Sequence, residues 1–140
     1  MKIFLSGSMK FAREMTETRD KLRVLGHDAV IPFGTEHHLK DAEFVDNLED
    51  NMAWCIKHDV MRKCFEEVAG SDAILVLNYK RRGIDGNIGI SALMEMGIAH
   101  YLRKKIFLLF PIPHFREHRW AHEVMIMQPV ILNGDLKKIK

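Results

Sequence analysis

The sequence predicts an α/β protein, a three-layer sandwich on a five-stranded parallel sheet in the flavodoxin-like order 2-1-3-4-5. Three observations carry this reading. Short apolar runs recur along the chain, the clearest being residues 73–77 (Ala-Ile-Leu-Val-Leu) and 106–110 (Ile-Phe-Leu-Leu-Phe). These runs do not alternate polar with apolar residues, which is the pattern of strands covered by helices on both faces. Between them lie longer stretches with helical apolar spacing, so strand and helix alternate as a parallel sheet requires. At 140 residues the chain reads as one domain, 1–140, with enough core to need no disulfide or metal.

The elements follow in order. Residues 2–6 read as a buried strand ended by Gly7-Ser8. Residues 11–25 read as a helix, with Phe11, Met15, Leu22 and Leu25 on one side and Gly26 as its stop. Residues 29–33 read as a second strand, with Pro32 near its end because proline donates nothing to a ladder. A polar connecting stretch, 34–40, follows. Helical spacing then runs from about residue 41 to residue 69, as two helices, and stops at Gly70-Ser71. Residues 73–77 form the third strand, and 78–89 a loop containing Gly83, Gly86 and Gly89. Residues 90–103 form a helix and 106–110 a strand closed by Pro111-Ile112-Pro113. Residues 114–128 read as a loop or short helix, 129–132 as the last strand, and Asn133-Gly134-Asp135 as a turn into a basic tail.

Composition narrows the function. Hydrophobic residues make up 47% and charged residues 29%, which excludes disordered, collagen-like and coiled-coil chains. A formal net charge of +2 does not mark a nucleic-acid or membrane-surface binder, so the expected partner is a small molecule. The two cysteines, Cys55 and Cys64, show no CxxC or zinc spacing, which points to a reducing cytoplasm and no metal. The opening apolar run is too short for a signal peptide or a membrane span.

One residue breaks the pattern. At 100° per residue, Ala92, Met94, Ile98, Ala99 and Leu102 form an apolar stripe on the helix 90–103, and Glu95 lies in its middle. No basic residue stands three or four positions away to neutralise it. A buried, unpaired carboxylate is costly, and its pKa rises. Such a group is either a structural glutamate bonded to a loop amide or a catalytic or ligand-binding acid. Its place favours the second: in a sheet of this order the ligand crevice opens between strands 1 and 3, beyond their carboxyl ends. The loops at Gly7-Ser8 and 78–89 converge there.

Other signals carry less. Gly83-x-x-Gly86-x-x-Gly89 lacks the spacing and position of a dinucleotide fingerprint. His114, His118 and His122 recur every four residues, but the neighbouring Pro111 and Pro113 make the segment irregular, and it reads as polar surface rather than a metal site. His37-His38 reads as a solvent-exposed loop pair, with contact to a substrate base as the lesser option. Lys80, Arg81 and Arg82 read as a solvated run, with added charge beside an anionic ligand as the lesser option, the methionines as core filler, and Trp54 and Trp120 as packing or oligomer contacts.

The run Ser71-Asp72-Ala-Ile-Leu-Val-Leu-Asn78, a glycine-containing loop, Ala92-Leu-Met-Glu95-Met-Gly97-Ile-Ala99 and Lys104-Lys105-Ile-Phe-Leu-Leu resembles the core of the nucleoside 2-deoxyribosyltransferase superfamily, which includes the 2′-deoxynucleoside 5′-monophosphate N-glycosidases. The resemblance covers most of the chain and is strongest over residues 59–109. It implies that Glu95 is a nucleophile attacking C1′ of the sugar, with a covalent glycosyl ester resolved by water or a second base. It also implies a catalytic, nucleoside-contacting role for Asp59 and substrate contacts from Gly7, Ser8, Asn78, Gly89 and Ser91, the last two at a helix start suited to a phosphate. Asp72 reads as a structural cap. No cofactor is implied, and a homodimer or higher homo-oligomer is. Where the transferases carry a loop acid about two turns before the glutamate, this chain has Gly89, which favours hydrolysis over base exchange. The alternative is a nucleotide-binding or sensing module on the same fold, without turnover.

Overall fold

Five strands form one parallel sheet in the order β2-β1-β3-β4-β5: β1 (Lys2–Ser6), β2 (Asp28–Val30), β3 (Ala73–Val76), β4 (Lys105–Leu108) and β5 (Val130–Ile131). The computed structural model describes residues 1–140. In register, Phe4 lies beside Val30 and Ile74, and Val76 beside Leu108. The central β3 is buried throughout, as a run covered on both faces must be.

Side chains alternate between the two faces. Ile3, Leu5, Leu75, Leu77 and Phe107 face α1 (Ala12–Val24), which contributes Met15 and Leu22, and Ile139 from the C-terminal tail completes that layer. Phe4, Ile74, Val76, Ile106 and Leu108 face the opposite layer. There α4 (Val60–Ala69), α5 (Ile90–Tyr101) and α6 (Arg119–Ile126) contribute Cys64, Val68, Ala92, Met96, Ala99 and Val124. The result is the three-layer, Rossmann-like sandwich expected from the strand pattern. By the same alternation Ser6, the last residue of β1, is turned to the α5 side. No helix is long and apolar enough to cross a membrane.

Several boundaries differ from the sequence reading. The polar stretch 34–40 contains a helix, α2 (Thr35–Lys40), which starts after Gly34 at φ +93°. A Cβ at Gly34 would fall 2.7 Å from the Trp54 ring, so the indole is packed directly over this backbone. Conversely, residues 41–47 are not helical. Asp41 turns extended, and its side chain accepts a hydrogen bond from the Glu43 amide, a local bond that competes with helix. The next helix, α3, is Leu48–His58, and only the left-handed Asp59 separates it from α4. Strand β2 ends at Val30, three residues early, as Ile31 and Pro32 leave the sheet. Strand β5 keeps only two residues.

The β3–α5 loop is firmly mounted. Arg81 and Ile84 exchange both backbone hydrogen bonds around Arg82 and Gly83, which have φ +53° and +76°. Positive φ at both central residues is the signature of a tight two-residue hairpin. Further on, Gly86 has φ +68°, and a Cβ there would meet the Pro111 carbonyl at 1.9 Å. The loop therefore lies against the chain leaving β4, with no room for a side chain between them.

Candidate active site

The candidate site beyond the carboxyl ends of β1 and β3 is centred on Glu95. The buried face of α5 is Ala92, Glu95, Met96 and Ala99. Two residues of the expected stripe, Met94 at 37% and Leu102 at 38% exposure, turn outward instead. The phase of the helix differs, yet Glu95 still faces the sheet, at 6% exposure. Its Oε1 accepts a hydrogen bond from Ser6 Oγ at 2.5 Å, and Ser6 itself is fully buried. No lysine, arginine or histidine pairs with it. Burial raises the carboxyl from its ordinary 4.5 to about 7, with the Ser6 hydroxyl pulling the other way. Near neutral pH it therefore divides between acid and carboxylate.

Cys64, buried on α4, stands close enough to feel that charge. Burial first, and then the Glu95 carboxylate, push its thiol up to about 12, against a hydrogen bond with the Phe33 backbone. Cys64 was legible only as a cysteine without metal spacing. Ser6 was legible only as the polar end of an apolar strand.

The residues assigned by resemblance fall into three groups. Gly7 and Ser8 leave β1 directly after Ser6, the partner of Glu95. A Cβ on Gly7 would sit 3.1 Å from the Leu77 carbonyl, so β1 and β3 are closely packed where the chain leaves the sheet. Ser8 Oγ receives hydrogen bonds from the Lys10 amide and from Arg81 Nη1, and Arg81 Nη2 lies 3.4 Å from Asp46 Oδ1. Gly89 and Ser91 are exposed at the start of α5, where nothing lies within 4 Å of a Cβ on Gly89 and no side chain caps the helix. The start of α5 faces open space there.

Asn78 and Asp59 are engaged elsewhere. The Asn78 amide donates to the Phe110 carbonyl at 2.7 Å and to the Gly86 carbonyl at 3.4 Å, and its oxygen accepts from the Phe110 amide at 2.9 Å. Its side chain is occupied in clasping the ends of β3 and β4. Asp59 is exposed and pairs with Arg62 at 2.9 Å, with no hydrogen bond toward Glu95. Asp72 accepts from the Lys2 amide at 2.7 Å, a structural bond to the start of β1 in place of the local cap expected of it.

The histidine pair is not a solvated loop. His38 is buried on α2 with Nδ1 unpartnered, and burial followed by the neighbouring His37 lowers its pKa. His37 stacks on Trp54 at 5.1 Å, and Trp54 on Phe33 at 5.8 Å. Two open clefts of about 430 and 480 Å³ flank Phe33 along the β2 edge, and Glu95 lines neither. They hold no buried, unpaired acid, so chemistry rather than volume marks Glu95 as the candidate. No three metal-ligating side chains gather anywhere in the chain.

A scan of protein-family models finds no match, and a search of curated proteins finds no relative. The arrangement itself offers one carboxylate in apolar surroundings, one hydroxyl aimed at it, and two loops beside it. One carboxylate can act as a nucleophile and then as a leaving group. The route that leaves room for a water between two carboxyls needs a pair about 6.5–9.5 Å apart.

Proposed function

We propose that this chain cleaves, or transfers at, the N-glycosidic bond of a (deoxy)nucleoside or its 5′-monophosphate, with hydrolysis favoured. The observation that carries the reading is Glu95, buried without a cation and held by Ser6 at the switch point of the sheet. A Glu95 carboxylate oxygen attacks C1′, the C1′–N bond breaks, and its electron pair leaves with the base. Water then attacks C1′ of the glycosyl ester. The C1′–O bond returns its pair to Glu95, and the water proton goes to the released base. Exclusion of water around Glu95 strengthens the attacking charge relative to bulk solution.

The same reading includes self-association. Leu48, Met52 and Ile56 form an exposed stripe on α3, and Ile90, Met94 and Tyr101 another on α5. It also includes a reducing, cytoplasmic setting, supported by two unpaired cysteines.

The test is chromatographic detection of free base from deoxynucleosides and their monophosphates, with intact-mass detection of the glycosyl-protein adduct. Wild type should release base, and Glu95→Ala should not. Equal release by both overturns the role of Glu95. Saturable thermal stabilisation by a deoxynucleotide, with no product, assigns the chain to binding alone. A monomer at micromolar concentration in sizing experiments overturns self-association.

A further inference from the structure

We propose that the amino edge of the sheet, at β4 and β5, is a docking face for an anionic lipid surface. The proposal is independent of the reaction proposed above. Because every strand is parallel, each helix returns the chain to that edge. The α5–β4 and α6–β5 turns arrive there on neighbouring strands, at the opposite end of the sheet from Glu95.

This edge is cationic. The net charge of +2 conceals a segregation. Residues 103–105 and 136–140 hold six cations, Arg103, Lys104, Lys105, Lys137, Lys138 and Lys140, and no acid, while the rest of the chain holds 15 cations against 19 acids. The fold joins the two runs. Ile139 is buried in the core with Leu22 and Phe107, which fixes the tail, and Lys105 Nζ donates to the Lys140 carbonyl at 2.8 Å across 35 residues of sequence. None of the six forms an ion pair with an acidic side chain. Asp72 accepts from the Lys105 amide through its carbonyl, but its carboxylate is turned to the Lys2 amide. Cations that follow a helix stabilise its carbonyl end. That use accounts for Arg103 and Lys104 after α5, and not for the tail lysines folded back to Lys105.

Apolar side chains stand among these charges. Ile126 is 57% and Val130 52% exposed, and Met125 and Leu102 are exposed beside them in the chain. Lysines around protruding aliphatic residues match a membrane interface. Its anionic headgroups attract the cations, while the apolar side chains enter the acyl boundary. A single-stranded nucleic acid rewards the cations but stacks its bases on aromatic or arginine planes, which Ile126 and Val130 do not offer. A second copy in a two-fold contact would set the six cations against themselves. Docked by this edge, the protein presents the Glu95 end of the sheet away from the bilayer, open to solutes.

The experiment is co-sedimentation of the full chain with vesicles of phosphatidylcholine, or of phosphatidylcholine and phosphatidylserine, at about 0.1 M and about 1 M salt. Binding should require phosphatidylserine and be lost at high salt. Arg103→Glu with Lys138→Glu should weaken it about 30-fold or more, at roughly fivefold for each cation beside an anionic leaflet. Lys80→Glu with Arg82→Glu makes the same change in charge on exposed residues of the β3–α5 loop and should leave binding nearly unchanged. Ile126→Ser with Val130→Ser should weaken it at least about 10-fold and keep the salt dependence. Melting temperatures near that of wild type verify that the variants fold. No binding, equal binding to both vesicles, equal losses from the two charge reversals, or no effect of the apolar pair overturns the proposal. So does tighter binding to poly-glutamate or to poly-uridylate, which gives the face to an acidic protein or to RNA. An oligomer that Ile126→Ser with Val130→Ser dissolves overturns it as well, in favour of a second copy.

Discussion

Replacing Glu95 by Gln should stabilise the protein, and only above a definite pH. Gln keeps an oxygen to accept the Ser6 hydrogen bond but carries no charge. In the fold the Glu95 carboxyl titrates at about 7 instead of its ordinary 4.5. The folded state therefore holds a proton that the unfolded chain has already lost between those values, and stability falls as pH rises through that window. At about 1.4 kcal/mol per pH unit, the loss reaches about 3 kcal/mol above pH 7. Glu95→Gln should match wild type near pH 4.5 and exceed it by about 3 kcal/mol at pH 8. Urea unfolding of both proteins at pH 5, 6, 7 and 8, with equal denaturant slopes, measures the difference. Taking the difference removes His38, whose lowered pKa has the opposite sign: its stability is full above about 6.5 and lost as pH falls below it. A gap that stays constant with pH, or a wild type that is the more stable at pH 8, refutes the picture of an unpaired buried acid. The activity proposed above runs the other way, because the nucleophile must be ionised. Its kcat/KM should rise with pH through about 7.

Ser6→Ala removes the only hydrogen bond to Glu95, so the acidic limb of a base-release pH profile should move upward by about one pH unit, and an unmoved limb refutes the assignment. Asn78→Ala leaves the Phe110 amide and carbonyl without their side-chain partner and should cost about 2–4 kcal/mol in urea unfolding; a loss under about 1 kcal/mol would show that the clasp is dispensable. Gly86→Ala combines a left-handed backbone with a collision at the Pro111 carbonyl. It should cost about 3 kcal/mol or more, whereas Gly89→Ala, facing open space at φ −79°, should cost under about 1 kcal/mol; equal costs refute the packing described here.

Layers and strand order were legible because they depend on local pattern. The runs at 73–77 and 106–110 have no polar interruption, and β3 and β4 are indeed covered on both faces. Glu95 was legible for the same reason, as a charge amid apolar spacing. What escaped were its partners. Ser6 and Glu95 are 89 residues apart, and Arg81 and Ser8 are 73 apart, so no window of sequence holds both members of either pair. Asn78 could be read as a polar residue ending a strand, but its bond to Phe110 is a tertiary event. The helix at 35–40 escaped because its polar residues show no stripe, and its start depends on Gly34 passing under Trp54. The irregular 41–47 was misread as helix because one buried Phe44 among polar residues mimics helical spacing.

Cys64 bears on which atom would form the bond to the sugar in the proposed reaction. Sulfur is intrinsically the stronger attacking atom, and a sulfur-linked sugar would resist water and leave the protein stalled. With the thiol held up to about 12, roughly one Cys64 in 10⁵ is ionised at pH 7, while the neighbouring carboxyl is about half ionised. Under the activity proposed above, the same burial that keeps the Cys64 thiol protonated leaves the Glu95 oxygen as the attacking atom, and the ester it would form is one that water can undo.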